Sequence, residues 1–150
     1  MNETHRAKAS PHDLARRAAA AMFTADRAAR AWGIGIDRIE PGQATVSMTV
    51  REDMLNGHGI CHGGLIFSLA DTAFAYACNS YNQVALAQNC AITFLAKARA
   101  GDRLQATAAE RAREGRNGIY DVRVTNQDGA VIAEFRGASR TVGGHLVADK

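Results

Sequence analysis

Proline is almost missing from this chain. It occurs only at positions 11 and 41, so long stretches are free to enter regular structure. The three cysteines, Cys61, Cys78 and Cys90, are an odd set with no short paired spacing, which argues against a disulfide framework. No apolar signal segment with a small-residue cleavage site is present, and a reducing, cytoplasmic setting is expected. The Ala- and Arg-rich beginning resembles a transit peptide in composition, but Glu3, Asp13 and Asp26 are acids that such peptides avoid. No segment joins low hydrophobicity to a large charge excess, so disorder is not indicated; only the first ten or so residues and the last five read as loose. The net charge is +3, and the basic residues form no dense stripe interleaved with aromatics, so nucleic acid is not an expected partner. Internal repeats and low-complexity tracts are also lacking.

At 150 residues the chain is expected to be one domain, 1–150, with a core over about 33–145 and an N-terminal helical extension over 1–32. Ser10-Pro11 followed by Asp13 reads as a helix start, with the helix running to about Ala31 before Gly33 and Gly35. Residues Ile34 to Glu40 and Gln43 to Arg51 read as a hairpin about Pro41-Gly42, in which Ala44, Val46, Met48 and Val50 alternate with polar residues. A turn-rich loop, Glu52 to His62, leads into a helix from Gly63 to about Asn79. Four further strands are expected: Ala85 to Ala96, Arg103 to Ala112, Gly118 to Thr125 and Val131 to Thr141.

The middle helix carries the chemistry. It is apolar on nearly every side, so it must be covered on nearly every side. A transmembrane role conflicts with Asp71 at its centre and with the strands that flank it, so no membrane association is expected. An antiparallel sheet curled around the helix satisfies the pattern. Asp71 is then costly, because a buried unpaired carboxylate is unfavourable by several kcal/mol unless bonded, protonated or facing a cleft. It is either a structural acid bonded within the fold or a working one. His62-Gly63-Gly64 opens the same helix, where free N–H groups and the positive end of the dipole can hold a developing oxyanion. Eight residues separate Gly63 from Asp71, about 12 Å along one helix axis. They cannot serve one carbonyl from a single chain, so a two-fold dimer with shared sites is expected, Gly63 of each protomer facing Asp71 of the other.

The run Leu55-Asn56-Gly57-His58-Gly59-Ile60-Cys61-His62-Gly63-Gly64, followed by Phe67-Ser68-Leu69-Ala70-Asp71-Thr72-Ala73-Phe74, resembles the hotdog-fold thioesterases of the PaaI (phenylacetate degradation) type. The likeness extends from about Gly33 to His145. It implies an α+β hotdog fold, a long central helix wrapped by a curved antiparallel sheet. It also implies dimers that pair into homotetramers, and hydrolysis of acyl-CoA thioesters to free acid and CoA. The acyl groups implied are aromatic, of the phenylacetyl or hydroxyphenylacetyl type, in phenylacetate degradation or CoA salvage. Asp71 would be nucleophile or general base and the Gly63 N–H the oxyanion donor. Asn56 and His62 would orient water or thioester, with Gly64 and Thr72 beside the substrate. Two departures stand out: Ala75 occupies the place, one turn after the acid, where relatives often carry Ser or Thr, and no Pro occurs near Ala96-Lys97.

Arginine forks suit the phosphates of coenzyme A. Arg116 is the first candidate, with Arg113 and Asn117 beside it about the Gly115-Arg116-Asn117-Gly118 turn. No cofactor is expected beyond the CoA of the substrate. No metal is expected either: His58, Cys61 and His62 lie in a loop broken by Gly57 and Gly59, without a second ligand pair. The alternatives are a hotdog enoyl-CoA hydratase and a non-catalytic acyl-CoA or acyl-carrier binding module. Phe67, Phe74 and Tyr76 read as core that could in part line an acyl pocket.

Overall fold

The computed structural model describes residues 9–148. Its first helix, α1 (Pro11–Ala25), starts as the sequence indicates: Ser10 caps it by accepting from the Asp13 N–H at 3.1 Å, with Pro11 in the first turn. It does not run to Ala31. At Asp26 the backbone leaves helical geometry, and the Asp26 carboxylate accepts the Ala29 N–H at 3.0 Å to start a second helix, α2 (Arg27–Ala31). Helical composition masked the break, because a mid-helix aspartate gives the backbone an alternative acceptor.

Six strands follow in one antiparallel sheet: β1 (Gly35–Glu40), β2 (Gln43–Thr49), β3 (Ala85–Phe94), β4 (Arg103–Glu114), β5 (Asn117–Thr125) and β6 (Val131–Thr141), in the spatial order β1-β2-β4-β5-β6-β3. The long helix α3 (Gly63–Cys78) lies across the sheet's inner face and contacts every strand. The β1-β2 turn is the Pro41-Gly42 pair; Pro presets the first central φ and Gly42 takes the second at +73°. The β4-β5 turn is tighter than the sequence suggests. Arg113 pairs with Gly118 and Glu114 with Asn117, so only Gly115 and Arg116 form the tip.

The core sits between α3 and the sheet. Leu69, Ala70, Ala73 and Phe74 are buried from α3, facing Val46, Met48, Leu104, Val122 and Val124. Each such large side chain contributes about 1.5–3 kcal/mol on burial. Phe74 stands beside Tyr120 and Phe135, with ring centroids at 5.6 and 5.8 Å. It also explains Gly137, where a Cβ would come within 2.8 Å of the Phe74 ring.

A polar hub anchors the end of α3. Asn79 donates to the Ala75 and Ala85 carbonyls and accepts the Ala85 N–H. Ser80 accepts the Gly42 N–H at 2.7 Å. Buried Asn82, at φ +60°, accepts from the Leu146 and Val147 N–H groups and donates to the Val147 carbonyl. Arg17 in turn donates to the Ala148 carbonyl. Residues 146–148 are therefore fastened down, contrary to the expectation of a loose end; residues 1–8 and 149–150 lie outside the described residues.

Candidate active site

The loop before α3 is built by its own polar atoms. The Asn56 side-chain oxygen accepts the His58 N–H at 2.9 Å and the Ile60 N–H at 3.4 Å, while the backbone of Asn56 and Ile60 closes the turn. This occupies the oxygen end of the amide and leaves the Nδ2 protons to donate. His62 is spent in a similar way. As N-cap of α3 it accepts the Gly64 N–H on Nδ1 at 3.0 Å, which puts the ring proton on Nε2. Asn56 and His62 are thus donors toward any ligand.

The same cap singles out one amide. Gly64 N–H is taken by His62 and Leu65 N–H by the His62 carbonyl, whereas Gly63 N–H has no partner among the described residues. It sits at the positive end of α3 and borders a cleft of about 330 Å³ that Asn56 also lines. Gly63 is therefore the one first-turn amide of α3 left to hold an oxyanion, and Gly64 is a structural part of the cap.

Asp71 lies elsewhere. Gly64, Ser68, Asp71, Thr72 and Ala75 make a stripe on α3 that the protein's own sheet leaves at least partly uncovered. Asp71 has no hydrogen bond or ion pair among the described residues, and burial alone raises its carboxyl above the usual aspartate range. The structural alternative, an acid bonded within its own fold, is thus unsupported. Thr72 donates its hydroxyl to the Ser68 carbonyl at 2.7 Å and Ser68 to that of Gly64 at 2.8 Å, so toward a ligand both can only accept. Across from this stripe stands β3. Cys90 on its inner side has a thiol raised by burial and, secondarily, by the Asp71 charge.

The candidate CoA residues separate. The Arg113 guanidinium lies 3.6 Å from the Tyr81 ring centroid and near Glu110, and Asn117 accepts from Gln88. Arg116 is exposed and uses only its Nε, toward the Thr141 carbonyl, so its two Nη groups are free for an anion. This hairpin lies by Cys78, at the far end of α3 from Gly63.

Phe67, Phe74 and Tyr76 line no part of the Gly63 cleft. Phe67 packs on Phe135 at 5.4 Å, and Phe74 and Tyr76 are buried. The aromatic residue at the cleft is Phe94, which sequence reading did not single out. Its signal was present as an apolar pair, Phe94-Leu95, at the end of an otherwise half-polar strand. Among the described residues no group of three or more His, Cys, Asp or Glu is placed to hold a metal.

The family model of the thioesterase superfamily matches residues 58–133, which span the cap, α3, β3 to β5 and the start of β6. The chain belongs to the thioesterase superfamily. It is 49% identical over 129 residues to the acyl-coenzyme A thioesterase PaaI of Escherichia coli (strain K12), covering 86% of this chain and 92% of that protein. The solved structure of the E. coli PaaI protein, from the phenylacetic acid degradation operon, superposes with a TM-score of 0.89 at 48% identity, covering 91% of this chain and 99% of that one. A Streptococcus mutans protein bound to acetyl CoA superposes at 0.72 with 26% identity, covering 75% and 90%. The hotdog thioesterase fold is thereby established, and no described helix is long and apolar enough to cross a membrane.

Proposed function

We propose that this thioesterase, working as a single domain over 1–150, hydrolyses acyl-CoA thioesters at two equivalent sites shared across a homodimer. The observation that carries the reading is the separation of the two working groups. Gly63 offers its unpaired N–H in one cleft, while Asp71 stands about 12 Å along the same helix with no partner of its own. A thioester needs both an oxygen nucleophile and a place for the charge that develops on its carbonyl. A two-fold axis between antiparallel copies of α3 brings Gly63 of each chain to the partner's Asp71. Asp71 then attacks directly to give a mixed anhydride, or takes a proton from the attacking water; the thiolate of CoA leaves. Asn56 Nδ2 and His62 Nε2 donate to the carbonyl or the water.

The same symmetry orders the nucleotide end. The hairpin tip with Arg116 lies near Cys78, about 10 Å beyond Asp71 along α3. The chain that supplies Asp71 to a site therefore also supplies Arg116, and the phosphates of CoA run from Gly63 toward it. Aromatic acyl groups of the phenylacetyl type are taken from the E. coli relative, whose gene lies in a phenylacetic acid degradation operon. The three free thiols suit a reducing, cytoplasmic setting. A pair of dimers, a homotetramer, follows from the family resemblance.

Thiol release from aliphatic and aromatic acyl-CoA esters, wild type beside Asp71→Ala, tests this. Release that depends on Asp71 supports hydrolysis; binding without release points instead to a carrier-binding module, and hydration of enoyl-CoA to a hydratase. Single turnover in labelled water separates the two routes, because isotope enters the Asp71 carboxylate only through the anhydride.

A further inference from the structure

Gly63 is a glycine for a reason other than its backbone angles, which lie outside the left-handed region. A Cβ at this position would meet the tip of the Phe94 ring, with Cζ at 3.0 Å and both Cε atoms at 3.4 Å. The end of the ring is thus seated on the Gly63 Cα, one bond from the amide nitrogen. Phe94 is nevertheless 49% exposed, because the rest of the ring forms a wall of the open cleft.

We infer that Phe94 selects the acyl group by limiting substitution at its α-carbon. This rests on the thioesterase reading, with the carbonyl oxygen on the Gly63 N–H. A carbonyl so held is flanked by sulfur on one side and the α-carbon on the other, and one of the two must pack against the ring. The wall around Phe94 is Ile60, Cys61, Ile66, Leu95 and alanine, and the strong hydrogen-bonding side chains there are Asn56 and Lys97. A pantetheine arm carries two amides that would be left without enough partners there, so the acyl side takes this wall. An unbranched CH2 next to the carbonyl passes the ring tip, while a second carbon on that atom meets it. Phe94 is a selectivity residue; it takes no part in proton transfer.

The test compares butyryl-CoA with its branched isomer isobutyryl-CoA, by kcat/KM from thiol release. Wild type favours the straight chain by about tenfold or more, the scale set by one misplaced carbon in an apolar pocket. Phe94→Ala brings the two esters close to parity, chiefly by a gain on isobutyryl-CoA, and Phe94→Leu moves partway. An unchanged ratio in Phe94→Ala or Phe94→Leu, with both esters still hydrolysed, overturns the role of Phe94 and leaves the thioesterase reading standing. Hydrolysis by wild type of neither ester and not of phenylacetyl-CoA either overturns that reading and this one with it; hydrolysis of phenylacetyl-CoA alone overturns only the role of Phe94.

Discussion

The two edges of the sheet are finished in opposite ways. At one edge β1 is six residues long and carries Asp37, Arg38 and Glu40, with a register shift between Ile36 and Arg38. Helix α1 packs beside it, with the His12 ring against the Glu40 carboxylate. Charge, a bulge and a covering helix are the usual devices that keep an edge from pairing. At the other edge β3 runs for ten residues, Ala85–Phe94, without a charge or a proline. Nothing within the described residues pairs with its free side, and it leaves Leu86 58% exposed. The contrast teaches that β1 is closed within one chain, whereas β3 is left open and available to the second chain of the proposed dimer. Asp71 lies on the β3 side, close enough for its charge to act on Cys90. The unfinished edge and the unfinished site are therefore the same region.

The sharpest way to break this comparison is at the acid. Asp71→Asn should lower kcat/KM by about a hundred- to ten-thousand-fold, the span of a lost general base, while raising the denaturation midpoint by removing an uncompensated carboxylate. The pH dependence runs in opposite senses for rate and stability. Because burial raises the native pKa of Asp71 above its unfolded value, the native state holds the extra proton between the two. Stability attributable to Asp71 is greatest below the ordinary carboxylate range and falls as pH rises toward the raised value. The rate climbs with pH through that raised value. Both trends should flatten in Asp71→Asn, read by chemical denaturation and by residual activity.

A charge in the open edge comes next. Asn89→Lys, near the middle of β3, places like charges close to one another across a two-fold axis. It should give monomers in sedimentation with loss of nearly all activity. The smaller counterpart is Asn82→Ala, which removes the acceptor of two backbone N–H groups and a donor to a third group. It also leaves alanine at φ +60°. A loss of about 2–3 kcal/mol is expected in urea unfolding, with the dimer kept. The smallest effect belongs to the closed edge: Arg38→Glu on β1 should leave both oligomeric state and rate unchanged. A monomer from that change would erase the distinction between the edges.

Much of this was readable from residues in order along the chain. The alternation of Ala44, Val46, Met48 and Val50, the apolar run of α3 and the turn chemistry each report local periodicity, and those elements stand where they indicate. Asp71 is conspicuous in sequence as an acid in an apolar helix, and its spacing from Gly63 is what raises the expectation of a second chain. What stayed hidden depends on contacts distant in sequence. Asn79, Ser80 and Asn82 look like ordinary loop residues until the tail and the β1-β2 turn arrive beside them. That the Gly64 N–H is taken up by His62 needs the ring orientation of His62, and Phe94 matters only because β3 ends beside the start of α3. Arg116 stands ahead of Arg113 already in the sequence, but the physical reason, that Tyr81 and Glu110 occupy Arg113, needs the fold.

The central claim, that each site is made by two chains, is tested most directly by complementation. Asp71→Ala and Gly63→Pro should each abolish activity as homodimers; proline is tolerated at the first helical position, removes the N–H and sets its ring against Phe94 of its own chain, in the site that the mixed dimer does not use. Co-refolded in equal amounts, they should form mixed dimers with one intact site, restoring roughly a quarter of the wild-type rate per chain on statistical pairing. Mixed dimers as inactive as the two parents would contradict a shared site.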